Sequence, residues 1–353
     1  MENTKKNYSL KEISDLSGVS IATLSRYFNG QTIRKSNEIK IEEILKKTGY
    51  RPNIAARIMK GSSSGVIGLI IPNITHPFFS AITEGIIEEA RKNNQLVLVT
   101  SSNGSVENEK QDIKQLSNSI LDGLIYIPVA KAENIPEIKN FHNIPLVVTA
   151  RKNIIPNIPH VYHDGEKGGY LATKYLIQMG RSRIAFIASF WEVPCSNKEL
   201  FNFSNNKESY PFSSIDRFRG YAKALKEANI EIDENLLITT GYDYADGVNS
   251  ASILDSRFTE FDGVIAMSEA VTDGLSDKLK ALGYKIPEDI SIIIFDKTSN
   301  NSNYYTHIEL HLKEMGIKSV QMLNQVLDNK ESNNVSLDVE LVVNSSTMKK
   351  ATL

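Results

Sequence analysis

From residue 65 onward, short apolar runs alternate with amphipathic segments. VIGLIIP, LVLVTSS, GLIYIPV, PLVVTA, RIAFIAS, LLITT, GVIAMS and ISIIIFD read as strands, with LDVELVVNSS as a last one. Helical patterns such as FFSAITEGIIEEARKN and GGYLATKYLIQMG separate most of them. Repeated βα units predict parallel sheets covered by helices, whose strands are apolar on both faces. The units are too many for one small sheet, so the α/β core is expected to form two Rossmann-like subdomains. The Asn- and Ser-rich stretch 190–215 fits neither pattern and predicts a long loop or lid.

The first fifty residues follow a helical rhythm instead. Ser9 followed by Glu12 is a capping box, and Gly18 ends the helix it opens. Ser20 caps IATLSRYF, which Asn29-Gly30 breaks; Ser36 opens a third helix that runs to Gly49. Leu10, Ile13, Leu16, Val19, Leu24, Phe28, Ile41 and Leu45 are expected to share one small core. Helix, tight glycine turn, helix is the helix-turn-helix arrangement, so the head is a small all-α unit. In YRPNIAARIMK, Pro52 and Asn53 start a helix of about two turns, too short to stand alone. Gly61 and three serines then form a flexible link.

Charge sharpens this division. The whole chain carries -2, but residues 1–60 carry +6 and the rest -8. A basic head on an acidic body implies a polyanionic partner for the head. No stretch has the apolar length to span a bilayer, and MENTKKNYSL has no signal-peptide core. The single cysteine, Cys195, fits a reducing cytoplasm. The six histidines are scattered, so neither a metal site nor a cofactor is expected. IIPNITHPFF stands where a dinucleotide-binding enzyme needs a glycine nest, and no nucleophile–base pair is evident, so an enzyme is not expected.

The second helix of a helix-turn-helix places its N-terminal face in the major groove. There Arg26 could donate two hydrogen bonds to guanine, while Ile21 and Ala22 could touch thymine methyls. Ser20, Thr23 and Ser25 are short hydroxyls suited to phosphates. In the short helix that follows, an apolar Met59 flanked by Arg57 and Asn53 could wedge a minor-groove base step.

These two elements, with IGLIIPNITHPFFSAITEGI, DGLIYIP, DRFRGYAKAL, DGVIAMSEAVTDGL and IPEDISIIIFD, resemble the lactose- and galactose-repressor (LacI/GalR) family of bacterial transcription regulators. The resemblance covers nearly the whole chain. It implies a periplasmic-binding-protein-like core, a homodimer on a near-palindromic operator, and a small effector in the interdomain cleft, a saccharide or a derivative. It implies a cytoplasmic, nucleoid-associated repressor of carbohydrate-utilisation genes. A family regulator steered by a protein corepressor, such as a phosphocarrier protein, is the alternative.

The implied DNA contacts are Ser20, Ile21, Ala22, Thr23, Ser25, Arg26, Asn29, Asn53, Ala56, Arg57 and Met59. The implied effector contacts are Phe78, Phe79, Arg217, Tyr242, Ser268, Glu269 and Asp296. The implied domains are a head (1–50), a hinge and linker (51–62), and two core subdomains (63–162 with 298–332, and 163–297 with 333–346). Crossovers are expected near residues 162, 297 and 332. Ala150-Arg151 replaces the Asp-Arg of many sugar-responsive members, and Ser268-Glu269 replaces Asn-Asp. A larger glycoside, a phosphosugar or a nucleobase-type effector therefore stay open. With only TMKKATL after the last strand, no heptad tail for a dimer of dimers is expected.

Overall fold

The computed structural model describes residues 8–28, 31–50, 63–129, 144–152, 154–191, 196–203, 213–257, 260–297 and 304–351. The chain divides into two compact units, before and after Gly65. The expected contacts Asn29, Asn53, Ala56, Arg57 and Met59, and the hinge at 51–62, lie outside the described residues.

In the head, α1 (Leu10–Ser17) opens with the expected capping box. The Glu12 amide donates to Ser9 Oγ, and the Ser9 amide donates to Glu12 Oε2 at 2.7 Å. Gly18 ends the helix in the left-handed region, φ 64, where its missing Cβ removes the steric penalty. Helix α2 (Ile21–Phe28) is capped by Ser20, whose Oγ accepts from the Thr23 amide. Helix α3 (Lys35–Thr48) starts after Arg34 without a side-chain cap, so Ser36 lies inside the first turn and does not open it. Ile13, Val19, Leu24 and Ile41 form the buried centre, with Leu10, Phe28 and Leu45 packed around it. Leu16 is not part of it and stands 52% exposed, because the buried stripe of α1 runs from Ile13 to Ser17.

Among the described residues the core holds two six-stranded sheets. The first contains β1 (Val66–Ile71), β2 (Leu96–Ser101), β3 (Gly123–Tyr126), β4 (Leu146–Thr149) and β5 (His160–His163). Helices α4 (Pro77–Lys92) and α5 (Val106–Ser117) connect its early strands. Helix α6 (Gly165–Gln178) leads into the second sheet, formed by β6 (Ile184–Ser189), β7 (Leu237–Thr240), β8 (Gly263–Ser268), β9 (Ser291–Asp296) and β10 (Thr306–Glu309). Helices α7 (Asn197–Phe203), α8 (Ser213–Glu227), α9 (Tyr244–Ser256) and α10 (Glu269–Ala281) lie between these strands. Helix α11 (Leu312–Leu327), β11 (Val335–Leu337) and β12 (Glu340–Val342) complete the core. The sheet orders are β11-β5-β4-β3-β1-β2 and β12-β10-β9-β8-β6-β7; among these pairs only β10–β12 is antiparallel.

Hydrogen-bond pairing moves two crossovers away from their expected places. The chain first changes sheet at Asp164, close to the expected residue 162. Strand β10 pairs with β9, so residues 304–309 stay with the second sheet and the crossing falls near residue 310, not 297. Strand β11 pairs with β5, so 335–337 return to the first sheet and the last crossing falls at 338–339, not 332. The region around 190–215 is not wholly loop. Ser196 and Glu199 form a second capping box and open α7, which buries Leu200. Among the described residues no helix is long and apolar enough to cross a membrane.

Candidate functional sites

On the head, Ser20, Ile21, Ala22, Ser25 and Arg26 are exposed, while Leu24 is buried and Thr23 half-buried. Helical spacing gathers Ile21, Ala22, Ser25 and Arg26 on one outward face. Ile21 is 47% exposed, so its methyl groups are open to a partner. Among the described residues no hydrogen bond or ion pair engages the Arg26 guanidinium. The face thus offers methyl groups, short hydroxyls and one free fork of donors.

In the core, the second site is built at strand ends. His76 caps α4, Pro77 occupies its first position, and Phe78 and Phe79 follow, buried and edge to face at 5.1 Å. Trp191, just after β6, stacks on Tyr242, just after β7, at 4.7 Å. The His76 ring lies 5.5 Å from Phe79, 5.7 Å from Trp191 and 5.4 Å from Tyr242. This aromatic cluster therefore bridges the two subdomains. At Gly104, φ 80, a Cβ would meet Trp191 at 2.8 Å, so a bare backbone is what admits the indole.

Beneath the aromatics lies an ion pair. Arg217 Nη2 donates to Asp296 Oδ1 at 2.9 Å; the side chains are only 2% and 6% exposed. The guanidinium rests over the Phe295 ring at 4.3 Å. Helix α8 presents Arg217 by packing against α6 at a crossing that two glycines make possible. A Cβ on Gly169 would stand 1.9 Å from the Arg217 carbonyl, and one on Gly220 would stand 2.0 Å from the Glu166 carbonyl. Ser268 sits opposite Asp296 in register and caps α10, its Oγ accepting from the Val271 amide. Glu269 is half-buried in that helix's first turn.

Further groups converge here. Ala150 holds φ 61 without being glycine, a local strain of the kind that clusters at binding sites. Arg151 follows it, buried, with Nη1 donating to the Ala150 carbonyl at 3.0 Å and to Ser213 Oγ at 3.3 Å. His163 ends β5 with its Nε2 3.5 Å from Arg217 Nη2. Burial, followed by the charges of Arg217 and Arg151, holds its pKa well below the usual histidine value, so the ring is neutral. Burial also lowers His76 and raises the Tyr242 phenol.

Of the seven expected effector residues, Phe78, Phe79 and Tyr242 belong to the aromatic cluster, Arg217 pairs with Asp296, Ser268 lies beside Asp296 in register, and Glu269 follows it in the first turn of α10. His76, Arg151, His163 and Trp191 were missing from that set. Trp191, the only tryptophan in the chain, stood in a stretch without periodicity. His163 belongs to a four-residue strand with no apolar run.

Together, a helix-turn-helix head and a two-subdomain core with a polar, aromatic-lined cleft define a ligand-responsive DNA-binding regulator. Residues 9–53 match the family profile for bacterial regulatory proteins of the lacI family, and residues 64–344 match periplasmic binding proteins and the sugar binding domain of the LacI family. The chain belongs to the LacI family of bacterial transcription regulators. It is 29% identical over 346 residues to the HTH-type transcriptional regulator RegA of Clostridium saccharobutylicum, covering 96% of this chain and 99% of that protein. Its fold matches the Lac repressor dimer bound to operator and the anti-inducer ONPF (TM-score 0.78, 22% identity, 97% and 100% of the two chains). It also matches a LacI family regulator from Enterococcus faecium with bound ribose (TM-score 0.67, 25% identity, 80% and 99%).

Proposed function

We propose that the protein is a cytoplasmic, homodimeric repressor that binds a near-palindromic operator and is controlled by a small saccharide-type effector in the core cleft. The outward row Ile21, Ala22, Ser25 and Arg26 on a capped, family-matching helix carries this reading. Ile21 and Ala22 meet thymine methyls, Arg26 reads guanine, and Ser20, Thr23 and Ser25 hold phosphates. Asn29 adds a further DNA contact, and Asn53, Ala56, Arg57 and Met59 extend the contact into the adjoining minor groove. Phe78, Phe79, Arg217, Tyr242, Ser268, Glu269 and Asp296 form the effector site.

Exposed Ile87 on α4, with Leu96 and Leu98 on the edge strand β2, supports the dimer, since such apolar edges are covered in native assemblies. The ribose bound to the Enterococcus relative supports a sugar-type effector. The effector acts by linkage. It binds one core arrangement better than the other and shifts operator affinity by that difference, about 1–3 kcal/mol.

The test is an unbiased selection from random duplex DNA with the full chain. A near-palindromic consensus is expected, with affinity that falls about 10³–10⁵-fold from 50 to 200 mM salt for about 6–10 phosphate contacts. Recovery of no preferred sequence would remove the proposal.

A further inference from the structure

The polar groups around Arg151 are unequal in number and kind. Arg151 uses only Nη1; among the described residues its Nε and Nη2 make no hydrogen bond, and no carboxylate lies within ion-pair distance. The nearby carboxylates are committed elsewhere. Asp296 pairs with Arg217, Asp216 with Arg219 at 3.2 Å, and Glu109 accepts from the Val129 amide at 2.7 Å.

The neighbouring histidine adds another donor. Arginine cannot accept, so the contact between Arg217 Nη2 and His163 Nε2 makes Nε2 the acceptor. The proton of the neutral ring then sits on Nδ1, which is buried and has no partner among the described residues. Arg217 Nε is buried and unpartnered in the same way. Unpaired buried donors cost free energy until an acceptor arrives. Arg151, Lys152, His163 and Ser213 line a small cavity of about 10 Å³, roughly the room of one water, together with Asp216, whose carboxylate pairs with Arg219.

We infer that the cleft takes a sugar bearing an oxyanion, a carboxylate or a phosphate, seated by Arg151 with help from His163. An acceptor-only group satisfies these donors without adding any and meets the Arg151 charge, whereas each hydroxyl of a neutral hexose brings a further donor along with its acceptor lone pairs and no charge. The inference rests on the cleft being the effector site and narrows which effectors it accepts.

The test uses the full chain. Melting temperature is followed against glucose, glucuronate, glucose 6-phosphate and inorganic phosphate at matched ionic strength. At least one anionic sugar is expected to half-saturate at ten-fold lower concentration than glucose; which one does so separates carboxylate from phosphate. Arg151→Gln is expected to abolish that preference, while its ligand-free melting temperature stays equal or rises, because a buried unmatched cation has been removed. Ala150→Asp, a residue that tolerates positive φ, places a carboxylate beside Arg151 and is expected to erase the preference too.

Equal or tighter response to glucose overturns the inference. So does a preference that survives Arg151→Gln. The same holds for a response to inorganic phosphate alone, or for no response to any anion together with a drop in the melting temperature of Arg151→Gln. Operator selection reads a different surface, so this inference can fall while the regulator reading stands.

Discussion

At the residue scale, side-chain chemistry was legible where it stays exposed and obscure where neighbours create it. The role proposed for Arg26 and Ile21 rests on their place on a short capped helix. Arg26→Ala is expected to cost about 1–3 kcal/mol on the selected operator and much less on random duplex, as gel-shift titration would read. Equal losses on both would mean that Arg26 touches only phosphate. His163 carries no such signal, because its neutrality arises from burial beside two arginines. Its folded pKa lies below the unfolded value of about 6.5, so the unfolded chain gains a proton that the native one refuses. Stability is therefore complete above about pH 6.5 and declines as the pH falls below it, by at most about 1.4 kcal/mol per pH unit for one proton. His76 and His160 are lowered by burial and add to the same decline. Melts from pH 7.5 to 5 should show a shallower slope for His163→Gln; an unchanged slope would place the titration elsewhere.

At the scale of elements, the apolar runs of β1, β3, β4, β6, β8 and β9 were readable because both faces of these strands are covered, so nearly every position is apolar. Strands β5 and β10, HVYH and THIE, were not, because four residues with polar members carry no period. Helix α7 lay hidden in an Asn-rich stretch although its Ser196–Glu199 box was present. Helix pairing was equally invisible. The contact of α6 with α8 depends on Gly169 facing the Arg217 carbonyl. Gly169→Ala should force α8 outward, cost about 1–3 kcal/mol and weaken effector response as Arg217 leaves Asp296. Thermal melts with and without effector check both effects; a variant that melts and responds like the parent would show that the backbone gives way at no cost.

At the scale of the molecule, the proposed effector site belongs to neither sheet alone. Phe79 arrives from the first subdomain, and Trp191 and Tyr242 from the second. Any ligand that alters the fit of the two halves must change the surroundings of Trp191. Because the chain has one tryptophan, its emission reports this cleft. A saturable change in intrinsic fluorescence is expected with an effector, and Tyr242→Leu should alter its size by removing the stacked ring. Binding detected by melting temperature without any emission change would place the ligand away from this cluster.

The sequence by itself determined the split between a basic helical head and an acidic βα core, because periodicity, caps and charge are local properties. It also determined the outward face of α2, because 3.6-residue spacing needs no distant partner. Tertiary structure alone decided where the chain crosses between sheets, since hydrogen-bond pairing of β10 with β9 and of β11 with β5 joins segments that share no local pattern. It alone brought Arg151, His163 and Arg217 together from separate elements. A cleft's balance of donors and acceptors is a sum over side chains that only folding makes neighbours.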